Sequence, residues 1–392
     1  MKETIDPEKV INAIKKALPM DKGFIGLHEP SFQGNEWNYI KDCLDTGWVS
    51  SAGQYVNRFE KSLVDFTGIK YAVAVVNGTA ALHTSLKLVG VNHNDEVMLP
   101  ALTFVATANA VVYCGATPHF IDVEERTLGV DPQKLKDYLK EITEIQSGKC
   151  INKITGRKIK ALVPMHTFGH PVDLDPLVEL CQQYKLEMVE DAAESIGSYY
   201  KGKHTGGFGR AGILSFNGNK TITTGGGGAI LTNDPDLARL AKHITTTAKQ
   251  PHPWDFYHDI TGFNYRLPNL NAALGCAQLE ELPDFIEKKR ALAERYQEAF
   301  ADIHGANVFK EADFACSNYW LNALILDEKY AAARDTIIEK TNQNGIMTRP
   351  VWMLMNQLPM YIDCPCMDIS QALSLEKRIV NIPSSAFLED YR

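Results

Sequence analysis

The segment from Lys70 to about Asn233 constrains the fold most, because short apolar runs alternate there with amphipathic helical runs. Strands are predicted at Tyr71–Val76, Glu96–Leu99, His119–Val123, Lys160–Met165, Leu186–Glu190, Ile213–Phe216 and Ala229–Leu231. Helices are predicted at Thr79–Val89, Phe104–Tyr113 and Pro132–Lys140. Near-continuous apolar runs such as YAVAVV mark strands buried on both faces. Strands separated by helices are joined by crossovers, which makes them parallel. The expected class is α/β: a large domain with a mostly parallel sheet between helices, plus a smaller C-terminal α+β domain.

The remaining chain is assigned around that unit. Residues 1–35 form a helix and an arm, and Glu36 to Leu44 is a helix stopped before Gly47. The large domain covers 36–275. A polar stretch, 141–159, interrupts it as an insertion, with a hairpin around Thr155-Gly156-Arg157. A long helix starts at Leu270 and runs to about Ile303, with Leu274, Leu279, Leu282 and Phe285 apolar. It links to a small domain, so that 276–392 forms the last unit.

Bulk properties remove several classes of function. A net charge of −8 argues against a nucleic-acid surface, which needs concentrated Lys and Arg. No apolar run approaches the roughly 20 residues that span a bilayer, so no membrane partner is expected. MKETIDPEKVINAIKKAL lacks a secretory apolar core, and the eight cysteines are scattered. A cytoplasmic protein with reduced thiols and no metal site is therefore expected.

Several motifs carry chemistry. Lys220 lies in SFNGNKTITTGGGGAI, 29 residues after Asp191 of MVEDAAES. A lysine amine can form a Schiff base with a cofactor aldehyde, and an aspartate can keep a pyridine nitrogen protonated so that the ring accepts electrons. The pair fits a pyridoxal phosphate site. Asp191 falls at the carboxyl end of a predicted parallel strand, the edge where open α/β sheets bind ligands. It can equally be a helix-capping acid. VNGTAAL, from Val76 to Leu82, follows a strand and opens a helix. There Gly78 and Thr79 let an anion approach free N–H groups, although Asn and Thr also make an ordinary N-cap. Ser215 reaches a phosphate if its loop folds back, which Gly225–Gly228 permits. Phe104 follows a strand and either stacks on a flat ring or packs as core. Asn264 and Arg266, in GFNYR, serve an anionic ligand or hold a turn. His166, in PMHTFGHP, faces the same cleft or is structural. Gly207-Phe-Gly209-Arg-Ala-Gly212 spells a dinucleotide fingerprint, but it precedes a strand instead of joining strand to helix, and is set aside.

Assembled, the chain resembles the DegT/DnrJ/EryC1/StrS sugar aminotransferases, fold-type I pyridoxal phosphate enzymes acting on nucleotide-linked keto sugars. NGTAAL, PALTFVATANA, EDAAES, SFNGNKTITTGGGG and GFNYRLPNLNAALGCAQLE carry the resemblance. MHTFGHPVDLD, KTITTGGGGAI and TTTAKQPHPWDF are similar to the LegC-type branch, which serves legionaminic acid synthesis. The resemblance implies that Lys220 is the catalytic Schiff-base lysine and Asp191 the pyridinium partner. It implies that Gly78, Thr79 and Ser215 hold the phosphate and that Phe104 stacks on the ring. Glu194 stands where many relatives carry Gln near the cofactor's 3-hydroxyl, and Gly226 or Gly227 where many carry Glu. Asn264 matches a residue that reaches the phosphate from the partner subunit, which implies a homodimer with shared active sites. Ser50 and Ser51 lie in a sugar-contacting region, His166 beside the cleft, and Arg266 within reach of the diphosphate.

The implied reaction takes an amino group from L-glutamate, with the cofactor cycling through pyridoxamine phosphate. The group passes to the 4-keto carbon of a nucleotide-linked 6-deoxy-hexose. The acceptor implied is UDP-2-acetamido-2,6-dideoxy-hexos-4-ulose or a GDP-linked equivalent, for a surface-glycan amino sugar. The alternatives are a pyridoxal phosphate-dependent sugar dehydratase or lyase, and a non-catalytic regulatory protein that binds the cofactor. Dehydratase relatives replace the lysine by His, whereas Lys220 is retained here.

Overall fold

The computed structural model describes residues 5–18 and 23–390. Seven strands make the main sheet: β1 (Tyr71–Val75), β2 (Glu96–Pro100), β3 (Thr117–Ile121), β4 (Ile159–Leu162), β5 (Glu187–Asp191), β6 (Ala211–Ser215) and β7 (Gly228–Thr232). Their order is β1-β7-β6-β5-β4-β2-β3. The block from β6 to β3 is parallel, and β7 runs antiparallel to both its neighbours. The sheet is thus mostly parallel, as the alternating pattern predicts.

Helices cover both faces. In chain order the helices up to the end of the long one are α1 (Pro7–Ala17), α2 (Glu36–Thr46), α3 (Gln54–Thr67), α4 (Gly78–Leu88), α5 (Val105–Tyr113), α6 (Pro132–Ile142), α7 (Leu174–Tyr184), α8 (Pro235–Thr245) and α9 (Asn269–Phe300), and of these α1 packs in the C-terminal core, not on this sheet. Val73, Val97, Leu99, Val189 and Ile230 pack on one face against Leu82 and Leu86 of α4, Val111 of α5 and Leu237 of α8. Ala72, Ala74, Leu214 and Leu231 face the other way, toward α3 and α9. Met98, Ile121, Leu162 and Met188 continue that second face against α6 and α7. Successive strand residues point to opposite faces, so two covered faces demand apolar residues at every position.

Helix starts follow local chemistry. Asp131 caps α6 through the N–H groups of Gln133 and Lys134, and Pro132 occupies the first helical position. Asp234 and Pro235 repeat the device at α8. Each such cap contributes about 1 kcal/mol.

A second, four-stranded antiparallel sheet contains β8 (Ala306–Val308), β9 (Asn322–Leu326), β10 (Arg349–Pro350) and β11 (Ile379–Ile382), ordered β8-β9-β11-β10. The 32-residue α9 serves both cores and is about 48 Å long at 1.5 Å per residue. Its Ala272, Leu279 and Leu282 pack with Tyr55, Phe59 and Leu63 of α3. Its Leu292, Tyr296 and Phe300 pack with Ile11 and Ile14 of α1 and Leu324 of β9. No helix of the described residues is long and apolar enough to cross a membrane.

Most element ends shift by one to three residues from the sequence reading, and two differences have a physical reason. β3 starts at Thr117, ahead of Pro118, because it is an edge strand, where a residue without an N–H is tolerated. The insertion makes its hairpin earlier than expected, pairing Thr143–Gln146 with Lys149–Asn152 across Ser147 and Gly148, both at positive φ. The stretch around Thr155-Gly156 is a second reversal, closed by the Asn152 N–H on the Arg157 carbonyl at 2.8 Å. Buried Glu96 anchors it, accepting from Asn152, Thr155 and His119. Burial pushes the Glu96 carboxyl up, but these hydrogen bonds outweigh it and hold the group below its usual range.

Candidate active site

The carboxyl ends of β5 and β6 and the start of α4 border one cavity of about 400 Å³. Asp191 is the last residue of β5, and Ser215 the last of β6. Asn77 caps α4, its Oδ1 accepting from the Ala80 N–H at 2.7 Å. The N–H groups of Gly78 and Thr79, in the first turn, have no intrahelical acceptor. Together with Ser215 they line an electropositive end suited to an anion. Two glycines make this close approach possible. A Cβ on Gly78 would lie 3.0 Å from Ser215 Cβ, and one on Gly228 would lie 2.6 Å from the Asn77 backbone.

The loop after β6 does fold back. The Phe216 N–H donates to the Gly227 carbonyl at 2.8 Å, and the Thr224 N–H to the Phe216 carbonyl at 3.0 Å. The Lys220 N–H closes a turn on the Asn217 carbonyl, and its side chain enters the cavity. There Lys220 Nζ donates to Glu194 Oε1 at 3.0 Å and lies 3.8 Å from the centre of the Trp320 ring.

Two buried carboxyl groups share this space. Asp191 accepts from the Thr107 hydroxyl at 2.6 Å and from the Ala193 N–H at 3.2 Å. Burial raises its pKa above the ordinary value, opposed by Thr107, Ala193 and the Lys220 charge. Burial pushes Glu194 up to about 7, opposed by Lys220 and by the Phe168 N–H that donates to Oε2. Glu194 therefore acts as an acceptor on both oxygens, an arrangement a Gln could satisfy with only one.

Of the residues singled out in the sequence, Gly78, Thr79, Phe104, Asp191, Glu194, Ser215 and Lys220 line the cavity. Ser50, Ser51, Asn264 and Arg266 do not line it within this chain. His166 lies behind it, wholly buried. Its Nδ1 accepts from the Val172 N–H, which leaves Nε2 to donate to Glu190. The histidine thus has no free nitrogen for a ligand. Glu190 also accepts from the N–H groups of Gly206, Phe208 and Gly209, which gives the glycine-rich run a job other than dinucleotide binding. The sequence reading missed Trp320, Trp352, Met165 and Asn219 of the cavity wall, and Thr107 behind Asp191. The two tryptophans lie in the C-terminal part, 100 and 132 residues after Lys220, and no local motif ties them to it.

The arrangement suits one ligand shape. It offers an anion seat at α4, a buried acid at β5, a flat aromatic at Phe104 and a primary amine between them. A phosphorylated pyridine aldehyde carries the matching groups.

Comparison with known proteins gives the same direction. The sequence model of the DegT/DnrJ/EryC1/StrS aminotransferase family matches residues 30–391. GDP-perosamine synthase of Vibrio cholerae is 38% identical over 341 residues, covering 86% of this chain and 87% of its own. The aminotransferase TlmJ of Streptoalloteichus hindustanus superposes with a TM-score of 0.83 at 26% identity, with 92% of this chain and 94% of that chain covered. Spr1654 of Streptococcus pneumoniae in its PLP-form shares the fold, with a TM-score of 0.83 at 21% identity over 94% of this chain and 97% of that one.

Proposed function

The chain belongs to the DegT/DnrJ/EryC1/StrS aminotransferase family, and on that premise we propose that it moves an amino group from L-glutamate to the 4-keto carbon of a nucleotide-linked 6-deoxy-hexose. It is a pyridoxal phosphate-dependent transaminase. When bound, the cofactor supplies an aldehyde that carries the amino group and a ring that delocalises the electron pair left at the donor carbon. One arrangement carries the reading: Lys220 Nζ, the buried Asp191 and the free N–H groups of α4 border a single cavity.

In this reading the N–H groups of Gly78 and Thr79 and the Ser215 hydroxyl bind the phosphate. Asp191, as a carboxylate, holds a proton on the ring nitrogen, and the Thr107 hydroxyl fixes its orientation. Phe104 packs on the ring. Lys220 Nζ would take the proton from the glutamate Cα and deliver it to the former aldehyde carbon of the cofactor, so that addition of water releases the donor as 2-oxoglutarate and leaves the amino group on that carbon. Glu194 keeps that amine aimed by accepting from it. Trp320, Trp352 and Met165 exclude water from the reacting atoms. The site is completed in a homodimer by Asn264 of the partner subunit, with Ser50, Ser51 and Arg266 toward the acceptor's sugar and diphosphate.

Two acceptors follow from different observations. The LegC-like runs favour UDP-2-acetamido-2,6-dideoxy-hexos-4-ulose, for legionaminic acid or a related glycan sugar. The 38% identity to GDP-perosamine synthase favours a GDP-linked 4-keto sugar. The test is the absorption spectrum of the loaded protein before and after L-glutamate, followed by each keto sugar in turn. Conversion of the lysine-bound band to that of pyridoxamine phosphate, and its recovery with one acceptor, is the expected result. An unchanged spectrum with bound cofactor would refute glutamate as donor, and full turnover by Lys220→Arg would refute the lysine assignment.

A further inference from the structure

We propose that Trp320 is a positioning residue that holds the Lys220 ammonium whenever the lysine is free of the cofactor. The proposal rests on the reading of Lys220 as the cofactor lysine. Three observations carry it. First, Lys220 Nζ sits 3.8 Å from the centre of the Trp320 ring, inside the range in which an aromatic face attracts a cation. Glu194 Oε1 is 3.0 Å from the same nitrogen, so the amine lies between a carboxylate and a π face. Both neighbours favour a charged, fixed amine over a mobile one.

Second, the indole cannot turn away. Its Nε1–H donates to the Asn219 carbonyl at 2.7 Å, on the residue next to Lys220. Its backbone N–H donates to Asn318 Oδ1 at 2.8 Å, and its carbonyl accepts from Lys289 Nζ at 3.1 Å. Trp320 is only 4% exposed, and Lys289 is fully buried beneath it. Third, the same fastening reaches Glu194. Asn318 Nδ2 donates to the Glu194 and Ile196 carbonyls, each at 2.9 Å. Residues 318–320 thus fix both neighbours of the amine, although they lie about a hundred residues from it in the chain.

The consequence concerns proton transfer. Once the amino donor has displaced it, Lys220 has to carry a proton between two carbons without drifting. An amine clamped between Glu194 and the indole starts each transfer from one position. Loss of the π face leaves the amine tethered on one side only. A cation–π contact in a dry site has a strength that corresponds to a roughly tenfold change in rate.

Two variants and two readouts test this. Trp320→Leu removes the π face and the Nε1–H, whereas Trp320→Phe keeps a smaller aromatic face and loses the donor. For each, kcat and the glutamate KM are measured with ordinary and α-deuterated glutamate. In parallel, the apoprotein is reductively methylated with 13C-formaldehyde, and the Lys220 methyl signal is identified by its absence in Lys220→Arg. The expected result is an upfield ring-current shift in the native apoprotein, lost in Trp320→Leu. With it come a roughly tenfold lower kcat in Trp320→Leu, a larger deuterium effect, an unchanged KM and substantial recovery in Trp320→Phe. An unshifted methyl signal overturns the proposal, as does an unaltered deuterium effect in Trp320→Leu, which would leave the residue a structural fastening. Capture of the cofactor as a covalent adduct by Lys220→Arg would instead overturn the underlying lysine assignment, a separate and distinguishable failure.

Discussion

Replacing Glu194 by Gln should make the apoprotein more stable in alkaline than in acidic solution, relative to the native chain. The carboxyl is 2% exposed and accepts from Lys220 and the Phe168 N–H, yet burial still pushes it up to about 7 from its ordinary value of 4.5. The folded chain therefore keeps this proton up to about 7, whereas the unfolded chain releases it near 4.5. Between those values rising pH favours the unfolded state, and above about 7 the penalty is complete. Moving the carboxyl from 4.5 to about 7 amounts to about 3 kcal/mol. Gln has the shape of the protonated carboxyl and carries none of this penalty. Urea unfolding of both apoproteins at pH 5 and pH 8 reads the difference. The Gln variant should gain about 2–3 kcal/mol on the native chain between the two values. An equal offset at both pH values would refute the claim that Glu194 is a costly buried acid retained for its place beside Lys220.

Other outcomes follow from neighbouring groups. His170 is sandwiched near Phe309 and Tyr319 and has no hydrogen-bond partner on either ring nitrogen among the described residues; burial, aided by the Arg290 charge, pushes it down to about 3. Its contribution is intact above 6.5 and is lost as pH falls toward 3, so His170→Phe should spare the apoprotein about 2 kcal/mol of the stability lost between pH 7.5 and pH 5 in urea titrations. Equal acid losses in both chains would contradict this. Thr107→Val removes the 2.6 Å hydrogen bond to Asp191, an interaction of about 1.5–3 kcal/mol when the acceptor is charged, and should weaken cofactor binding about tenfold or more in apoprotein titrations. Unchanged affinity would show that Asp191 is oriented by something else. Gly169 has φ +95°, and a Cβ there would fall 1.9 Å from Asn318 Oδ1, so Gly169→Ala should cost roughly 2 kcal/mol or more and disturb the Trp320 fastening. A native melting temperature with native activity would dispose of that expectation.

The sheet was legible because its physics is written locally. Ala72 and Ala74 face one layer while Val73 and Val75 face the other, and only a strand buried on both sides needs that composition. The Asn and Thr of NGTAAL marked a helix start for the same local reason, and Asn77 caps α4, whereas the Asp234 cap of α8 was not read from the sequence. That Lys220, Asp191 and Ser215 share a cavity was legible because Asp191 and Ser215 end strands, and Lys220 follows one, on the edge where parallel sheets bind ligands. Trp320 and Trp352 were not, since their approach depends on the packing of the C-terminal part against the main sheet. The position of His166 beside a strand end suggested a cleft residue, but the competing demand of buried Glu190 for donors took its ring inward. The reversal at Thr155-Gly156 was legible, whereas the hairpin that precedes it was not, although Gly148 gives the same kind of local turn signal as Gly156.

The end of β5 carries two buried acids in succession, Glu190 and Asp191, and the parity of the strand separates them. One is spent on three loop N–H groups and an imidazole; the other looks into the cavity. Inserting or deleting a single residue in this strand would exchange their faces. The reactive cleft would then receive a side chain one methylene longer, and the loop behind would receive one too short to reach its donors. A length change of one residue, far milder in composition than a lysine substitution, would thus disarm the site and unfasten its support together.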